Sequence, residues 1–291
     1  MEDIQIALAV VNSVVGRIED NLMKTDRWAR AAREEGACLV CFPELNLTGY
    51  GIGEPPCRHA QPVSGSVADR LQAIAERENI VLVAGMAEQG PGGRIFAAQL
   101  VVRPGRPFGI YRKTHIAPPE IGRLDAGDAV PLFDLGDLRF GIQLCYDAHF
   151  PGLSTRMAME GADLVLMPHA SPRGTPREKL ESWSRHLPAR AFDNGVFVAA
   201  CNPIGGNGEG LDFPGAAVVY GPNGRRIASR CFHGEGLLVC RLEASLIDRV
   251  RGHRMRYFLP HQRTGLYPPG GDGPGPETSS AKQKLSSKKK G

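Results

Sequence analysis

The chain has 291 residues, of which 42% are hydrophobic, which is enough to bury a substantial core. No apolar run approaches the roughly 18 residues of a membrane span, so we expect no membrane partner. The formal charge of +4 comes from five lysines in the last ten residues, and the rest of the chain is close to neutral, so no nucleic-acid partner is expected.

Short apolar runs alternate with longer amphipathic segments from residue 4 onward. Apolar runs predict strands at residues 4–10, 38–43, 80–85, 95–102, 139–146, 164–168, 196–201, 215–220 and 236–240. Helical periodicity predicts helices at residues 21–35, 63–78, 151–161 and 176–194. Strands interleaved with helices indicate an α/β fold whose sheets are covered by helices on at least one face.

Residues 268–291 differ in composition from the rest of the chain. They are rich in Pro, Gly and Ser and then become basic, with almost nothing apolar to bury. This composition predicts a disordered basic tail after a folded domain at residues 1–267. Such a tail can contact RNA or anionic surfaces, but a solvated end is the simpler interpretation.

Cysteine usage indicates a reducing compartment. The sequence holds seven cysteines, an odd number, scattered through apolar segments of a long chain. Small secreted proteins instead use short frameworks of paired cysteines. The first residues pass into a strand pattern without the regions of a secretory signal. We therefore expect a cytoplasmic protein with free thiols.

Several familiar motifs are incomplete. Cys38 and Cys41 have the spacing of a zinc or redox pair, but no second Cys or His pair follows at ligand spacing. The glycine loop at residues 205–210 matches neither the dinucleotide nor the Walker pattern, and no G-x-S-x-G marks a serine nucleophile. The histidines never pair at metal-ligand spacing, so we expect neither a metal nor a cofactor.

Three apolar strands each end in a residue that can take part in catalysis. Glu44 follows the strand of "CFPELNLTGY", Lys113 ends that of "FGIYRKTHI", and Cys145 ends that of "GIQLCYDAHFP". Functional groups collect beyond the carboxyl ends of strands in parallel α/β sheets. Each residue alone is explained better by a structural role, as a surface charge or a packed cysteine. Their joint occurrence predicts that a carboxylate, an ammonium and a thiol meet at one site.

The same segments resemble those of the nitrilase superfamily, the carbon–nitrogen hydrolases. "FPELNLTGY", "YRKTHI" and "LCYDAHFP" look like its three signature segments, in matching order and at similar separations. The resemblance extends from Ile4 to about Tyr267. It implies a four-layer α-β-β-α sandwich that pairs into homodimers or larger homo-oligomers.

The resemblance also implies a role for each site residue. Cys145 becomes the nucleophile, Glu44 the general base and acid, and Lys113 the cation beside the oxyanion. An additional active-site glutamate of the family falls on Glu120. The chemistry agrees, because a thiolate that forms an acyl intermediate divides a difficult amide hydrolysis into two easier steps. The backbone N–H of Tyr146 is a further candidate oxyanion donor.

Residues beside the cysteine distinguish branches of the superfamily. Members that cleave nitriles usually have Trp–Glu after the cysteine, whereas this chain has Tyr146–Asp147, so nitrile cleavage is disfavoured. Some carbamoyl amino acid hydrolases hold a substrate carboxylate with an arginine in this segment, where the present chain has Ala148 and His149. A substrate carboxylate then needs another partner, for which Arg173 is a candidate.

The sequence therefore predicts a hydrolase of small linear amides. Two alternatives stay open. One is an N-carbamoyl amine or amino acid hydrolase, and the other is a catalytically silent member that binds a partner. Candidate residues for the substrate pocket are Tyr50, His115, His149, His169 and Arg173.

Overall fold

Two mixed six-stranded sheets form the centre of the fold in the computed structural model, which describes residues 2–51, 58–263 and 266. The first half of the chain supplies β1 (Ile4–Val10), α1 (Ile18–Glu34), β2 (Leu39–Cys41), α2 (Ser66–Glu78), β3 (Val81–Gln89), β4 (Ile95–Val102) and β5 (Gly109–Arg112). The second half supplies β6 (Phe133–Leu135), β7 (Leu138–Ile142), α3 (Pro151–Met159), β8 (Leu164–Pro168), α4 (Pro176–Trp183), α5 (Leu187–Asn194), β9 (Phe197–Asn202), β10 (Gly205–Gly206), β11 (Asp212–Phe213), β12 (Ala216–Tyr220), β13 (Arg226–Cys231), β14 (Gly236–Leu242) and α6 (Ala244–Arg251). Short 3-10 turns cover Pro91–Gly93, Pro118–Glu120, Cys145–His149 and Leu259–His261.

Each sheet has three parallel strands at its centre and antiparallel strands outside them. The first sheet has the order β14-β1-β2-β3-β4-β5, and the second has the order β13-β12-β9-β8-β7-β6. The parallel strands are β1, β2 and β3 in the first sheet and β7, β8 and β9 in the second. Because β4 is antiparallel to both β3 and β5, β5 runs in the same direction as β2 and β3. The segments after β2 and β5 therefore leave the first sheet at the same edge.

Helices cover the outer faces of the two sheets. Alternate residues of β1 point to opposite faces. Ala7 and Ala9 belong to the buried cluster that contains Leu22 of α1, whereas Ile6 and Leu8 belong to the cluster between the sheets. Helices α3 and α5 pack together, and α5 packs on β9 and β12 of the second sheet. The predicted four-layer α-β-β-α order is confirmed.

The predicted helix at residues 176–194 is wrong, because the structure has two helices there. Helix α4 ends at Trp183 and α5 begins at Leu187. Pro188 lies in the first turn of α5, where a missing backbone N–H is tolerated, and it could not lie in the interior of one continuous helix. Other predictions are confirmed with the same bounds, namely Ile4–Val10, Ile95–Val102 and Leu164–Pro168.

The strand predicted at residues 139–146 is also too long. Strand β7 ends at Ile142, and Cys145 begins a 3-10 turn. The backbone N–H of Leu144 donates to Asp147 Oδ2 at 3.0 Å, so it turns away from the sheet. This side-chain competition for the backbone places the cysteine in a turn beyond the strand.

The chain divides into a unit of residues 1–259 and a C-terminal unit of residues 260–291. All the α-helices and strands given above lie in the first unit. In the second unit, the N–H of Leu266 donates to Arg263 O at 3.0 Å. The predicted tail at 268–291 lies outside the described residues, and the domain boundary at 267 stays a prediction.

Candidate active site

Lys113 is a fully buried cation held between two carboxylates. It directly follows β5, and its N–H donates to Ala97 O at 2.9 Å, which continues the pairing of β5 with β4. Its Nζ donates to Glu44 Oε1 and to Glu120 Oε1, both at 2.8 Å. Burial lowers the pKa of the ammonium, but the charges of Glu44, Cys145 and Glu120 outweigh burial and raise that pKa. Lys113 therefore stays protonated.

The turn after β2 brings Glu44 against the second sheet. Leu45 has a φ of 56°, in the left-handed region, so the chain reverses directly after Glu44. Asn46 Oδ1 accepts from the N–H of Gly85 in β3 at 2.7 Å. A Cβ at Gly85 would lie 2.6 Å from the nitrogen of Leu45, so only glycine permits this approach. The N–H of Glu44 donates to the carbonyl of His169, beyond β8, at 3.2 Å.

The carboxyl of Glu44 can change its protonation state near neutral pH. Its Oε2 is buried and has no hydrogen-bond partner among the described residues. Burial raises the pKa of the carboxyl to about 7, Lys113 opposes this change, and the charge of Glu120 adds to it. A carboxyl with a pKa near the working pH and one unoccupied oxygen is suited to accept and return a proton.

Glu120 differs from Glu44 because both of its oxygens are occupied. Oε1 accepts from Lys113 Nζ and from the hydroxyl of Tyr50, the latter at 3.1 Å. Oε2 accepts from the N–H of Ala117 at 3.0 Å, at the start of the turn Pro118–Glu120. These donors fix the carboxylate in place. The arrangement favours a positioning role for Glu120 and leaves proton transfer to Glu44.

Cys145 begins the 3-10 turn after β7 with a φ of 43°. A non-glycine residue in this left-handed region stores backbone strain, which is common at functional sites. Burial raises the pKa of the thiol to about 12. The charge of Glu44 adds to this effect, and the charge of Lys113 and a hydrogen bond from the N–H of Ala170 oppose it. The resting thiol is therefore protonated, and a base would have to remove its proton before the sulfur could act as a nucleophile.

Asp147 is a buried carboxylate that connects the turn Cys145–His149 to β5 and the residues after Lys113. Its Oδ2 accepts from the hydroxyl of Tyr111 at 2.7 Å and from the N–H of Leu144 at 3.0 Å. Its Oδ1 accepts from the hydroxyl of Thr114 and the N–H of His115, both at 2.8 Å. The residues on either side of Lys113 are thus tied to the turn that begins at Cys145. The sequence analysis used Asp147 only to distinguish branches and missed this role.

Aromatic rings surround the turn that carries Cys145. The ring of His115 stacks on that of Phe150 with centroids 3.7 Å apart. The ring of Tyr146 meets His149 and Phe150 edge-on at 5.7 and 5.5 Å. The predicted pocket residues His115 and His149 therefore lie at the same turn as Tyr146, whose backbone N–H was predicted as an oxyanion donor.

His169 and Arg173, also predicted for the pocket, lie in different environments. His169 is buried, and its Nδ1 donates to Met167 O at 2.7 Å. Burial lowers the pKa of its imidazole to about 3, so the ring is neutral. Arg173 is exposed to solvent, with a φ of 76°, and its guanidinium makes no ion pair in the described part of the chain.

Three side chains near these histidines escaped the sequence analysis. The ring of Trp183 packs on His169 with centroids 4.7 Å apart, and the ring of His186 stacks on His149 at 4.6 Å. Lys179 lies one helical turn before Trp183 in α4, on the same face. This spacing was visible in the sequence, but the prediction of one long helix did not indicate which face meets the site.

Comparisons with known proteins agree with this geometry. The sequence model of the carbon-nitrogen hydrolase family matches residues 5–252. The chain belongs to the carbon–nitrogen hydrolase family. This hydrolase is 32% identical over 258 residues to the protein described as "Hydrolase in pqqF 5'region" from Pseudomonas protegens, with 86% of each chain covered. It is 26% identical over 258 residues to the N-carbamoylputrescine amidase of Solanum lycopersicum, with 81% of this chain and 84% of that protein covered.

The hydrolase also superimposes on solved amidase structures. One is a variant of the amidase from Nesterenkonia sp. AN1, with a TM-score of 0.77 and 27% sequence identity. The match covers 90% of this chain and 95% of that one. In that structure the acetamide moiety of fluoroacetamide is added covalently at the active-site cysteine. The predicted class, a hydrolase of carbon–nitrogen bonds, is confirmed.

Three further observations concern the described residues of the hydrolase. No helix there is long and apolar enough to cross a membrane. No group of three or more His, Cys, Asp or Glu side chains in the same residues is arranged to hold a metal ion. The six cysteines in this part of the chain are free thiols.

The raised pKa of Glu44 makes the stability of the hydrolase depend on pH. Its ordinary pKa is 4.5 and its folded pKa is about 7, so between these values the folded state binds more protons than the unfolded state. The stabilisation that protonated Glu44 gives to the folded state is complete below pH 4.5. It is lost as the pH rises through 7, and the free energy of unfolding falls by about 3 kcal/mol. Urea unfolding at pH 5 and pH 8 measures this loss, which should be absent in Glu44→Gln. Equal losses in both proteins would contradict the assignment.

Proposed function

We propose that the chain hydrolyses small linear amides to a carboxylic acid and ammonia through an acyl intermediate on Cys145. The observation that carries this proposal is the buried Lys113, whose ammonium joins Glu44 and Glu120 at 2.8 Å beside the cysteine turn. A buried ion network is costly to maintain unless it is fully hydrogen-bonded. One buried carboxylate oxygen, Glu44 Oε2, nevertheless has no partner in the described residues, as a proton acceptor requires.

In the first step the thiol proton of Cys145 passes to Glu44 Oε2 while the sulfur attacks the amide carbon. The gap between a pKa of about 12 and one of about 7 corresponds to about 7 kcal/mol for the proton transfer alone. A turnover rate of about 10 per second allows a barrier of about 16 kcal/mol, so this transfer fits within the barrier. Neutralising Glu44 also removes the negative charge that raises the pKa of the thiol.

The attack moves the carbonyl electrons onto oxygen and forms the C–S bond. The ammonium of Lys113 and the backbone N–H of Tyr146 are the proposed donors to that oxyanion, and losing one such donor typically costs about 3 kcal/mol. Protonated Glu44 then gives its proton to the amide nitrogen, the C–N bond breaks, and ammonia leaves. Glu44 next takes a proton from water, whose oxygen attacks the thioester carbon. The C–S bond breaks, the acid leaves, and Glu44 returns the proton to the sulfur of Cys145.

Glu120 acts in this scheme without exchanging a proton. Its hydrogen bonds to Lys113, Tyr50 and Ala117 hold the ammonium in one position throughout the reaction. Preorganised donors need no rearrangement when charge develops on the substrate, which is the main source of their effect. Glu120 is therefore a positioning residue for Lys113.

Of the two alternatives, one has specific support and the other is disfavoured. The relation to an N-carbamoylputrescine amidase supports an N-carbamoyl substrate, since the same attack on a carbamoyl carbon also releases ammonia. A silent binding member is disfavoured because Glu44, Lys113, Glu120 and Cys145 are all present and the first three are in contact.

A substrate panel tests the proposal. Ammonia release is measured with propionamide, butyramide, N-carbamoylputrescine and butyronitrile at equal concentrations, and Cys145 alkylation by iodoacetamide is followed by mass spectrometry. We expect the linear amides to be turned over fastest and the nitrile not at all. Faster turnover of N-carbamoylputrescine would establish the carbamoyl alternative. Absence of ammonia from every compound would contradict the hydrolase proposal.

We also propose that the chain acts in the cytoplasm as a homodimer or larger homo-oligomer. The free cysteines of the described residues suit a reducing compartment. The aromatic pair Phe192 and Phe258, with ring centroids 5.5 Å apart, is exposed on the surface together with Met255. Exposed apolar clusters of this kind are typical of protein interfaces.

A further inference from the structure

Lys179 is a half-buried cation without a counter-ion. It lies in α4, and its Nζ donates to Ser171 Oγ at 2.7 Å. No carboxylate lies within ion-pair distance of this ammonium in the part of the chain that the structure describes. Burial lowers the pKa of Lys179, so the fold keeps this charge at some cost. A lysine with only a surface role would extend into solvent instead.

The contact with Ser171 places this ammonium near the site. Ser171 lies two residues after His169, whose carbonyl accepts from the N–H of Glu44 at 3.2 Å, and the backbone of Ala170 between them lowers the pKa of the Cys145 thiol. Asn202 fixes Ser171 from the other side, because its Oδ1 accepts from the N–H of Ser171 at 2.9 Å and its Nδ2 donates to the carbonyl at 3.1 Å. When Cys145 is ionised, its charge opposes the effect of burial on the pKa of Lys179.

The surroundings of Lys179 are mainly aromatic. Burial lowers the pKa of His169 to about 3 and that of His186 to about 4, so both rings are neutral, and the charge of Lys179 contributes to the first shift. Burial also lowers the pKa of His149. Trp183, on the same face of α4, packs on His169. This cluster therefore offers ring surfaces and two cations, the ammonium of Lys179 and the guanidinium of Arg190, which donates to the carbonyl of Ala148 at 3.1 Å.

We infer that Lys179 binds a carboxylate at the end of the substrate remote from the amide. This inference rests on the proposed function and names its substrate class: short ω-amides of dicarboxylic acids, with the acyl chain against the rings. The ammonium already has one neutral acceptor in Ser171 and two remaining N–H donors. The substrate carboxylate supplies the charged acceptor that Lys179 does not have among the described residues. Lys179 thereby takes the role that the sequence suggested for the exposed Arg173.

A binding measurement tests the inference without turnover. The rate at which iodoacetamide alkylates Cys145 is measured in the presence of each of two ketones. One is 5-oxohexanoate, which has a ketone in place of the amide of glutaramate. The other is hexan-2-one, which also has a methyl group in place of the carboxylate. We expect 5-oxohexanoate to protect at least tenfold better in the wild type, and this preference to disappear in Lys179→Met. Lys179→Arg should restore most of it, and Arg177→Met, a change in an exposed cation of the same helix, should preserve it. Lys179→Gln provides a second variant if Lys179→Met is unstable.

Turnover separates this inference from the proposed function. The ratio of kcat/KM for glutaramate to that for valeramide should fall at least tenfold in Lys179→Met, mainly through KM for glutaramate. Equal protection by both ketones in the wild type, or loss of the preference in Arg173→Gln instead, would overturn the inference. Selective protection without ammonia release from any amide would support the anion site and contradict the proposed function.

Discussion

Cys145→Ala is expected to reduce ammonia release at least about 10⁴-fold, because it removes the sulfur that we propose forms the acyl intermediate. The fold should survive the change. Alanine at a φ of 43° has a Cβ like that of cysteine, so the backbone strain is the same in both proteins. We expect the free energy of unfolding to change by about 1 kcal/mol or less, measured by urea unfolding.

The matched control for this result is Cys231→Ala. Cys231 is a free, partly exposed thiol in the edge strand β13, and its removal should leave activity within about twofold of the wild type. Mass spectrometry after exposure to substrate should find an acyl adduct on Cys145 in the wild type. If Cys145→Ala kept more than about 1% of wild-type activity on the best substrate, the nucleophile would be another residue.

Glu44→Gln is expected to block both acylation and deacylation, with a loss of about 10³-fold or more. Glutamine can still accept a hydrogen bond from Lys113, but it cannot take the thiol proton or return a proton to the leaving nitrogen. Glu120→Gln retains an oxygen acceptor for Lys113 or Tyr50, so it should lose about 10- to 100-fold through misplacement of the ammonium and substrate. The two variants thus remove different functions, namely proton transfer in Glu44→Gln and the positioning of the ammonium in Glu120→Gln.

The measurement combines steady-state ammonia release with mass spectrometry of each variant. Glu44→Gln should show no acyl adduct from an amide substrate, whereas Glu120→Gln should form the adduct slowly and keep Cys145 open to iodoacetamide. A dead Glu120→Gln beside a nearly normal Glu44→Gln would transfer the role of base to Glu120. Loss of alkylation in Glu120→Gln would show that this residue acts on the cysteine itself.

Local sequence patterns were sufficient to predict the strands that precede Glu44, Lys113 and Cys145, although the predicted end of β7 was wrong. Apolar runs mark β2, β5 and β7, and Glu44, Lys113 and Cys145 follow directly or within a few residues of their ends. The contact between Glu44 and Lys113 follows from topology, because the strands that carry them leave one sheet at the same edge. The strands themselves could be predicted because the pattern of apolar residues along a strand shows which of its faces are buried.

The parts that could not be predicted depend on contacts between distant segments. Asp147 is adjacent to the cysteine in sequence, but its partners Tyr111, Thr114 and His115 belong to the other sheet and the segment after it. Nothing local in the sequence specifies these hydrogen bonds. The orientation of Lys179 depends on where α4 ends. The prediction of one continuous helix across Pro188 did not identify that end.

The single cation between two carboxylates has a consequence for the end of the catalytic cycle. Hydrolysis converts a neutral amide into an acid that ionises at neutral pH, so the product brings a new negative charge next to Glu44 and Glu120. Lys113 is already bonded to both carboxylates and has little capacity to neutralise a third. The product is therefore repelled while the amide is not. We therefore expect the released acid to leave the site quickly and to inhibit the hydrolase only weakly.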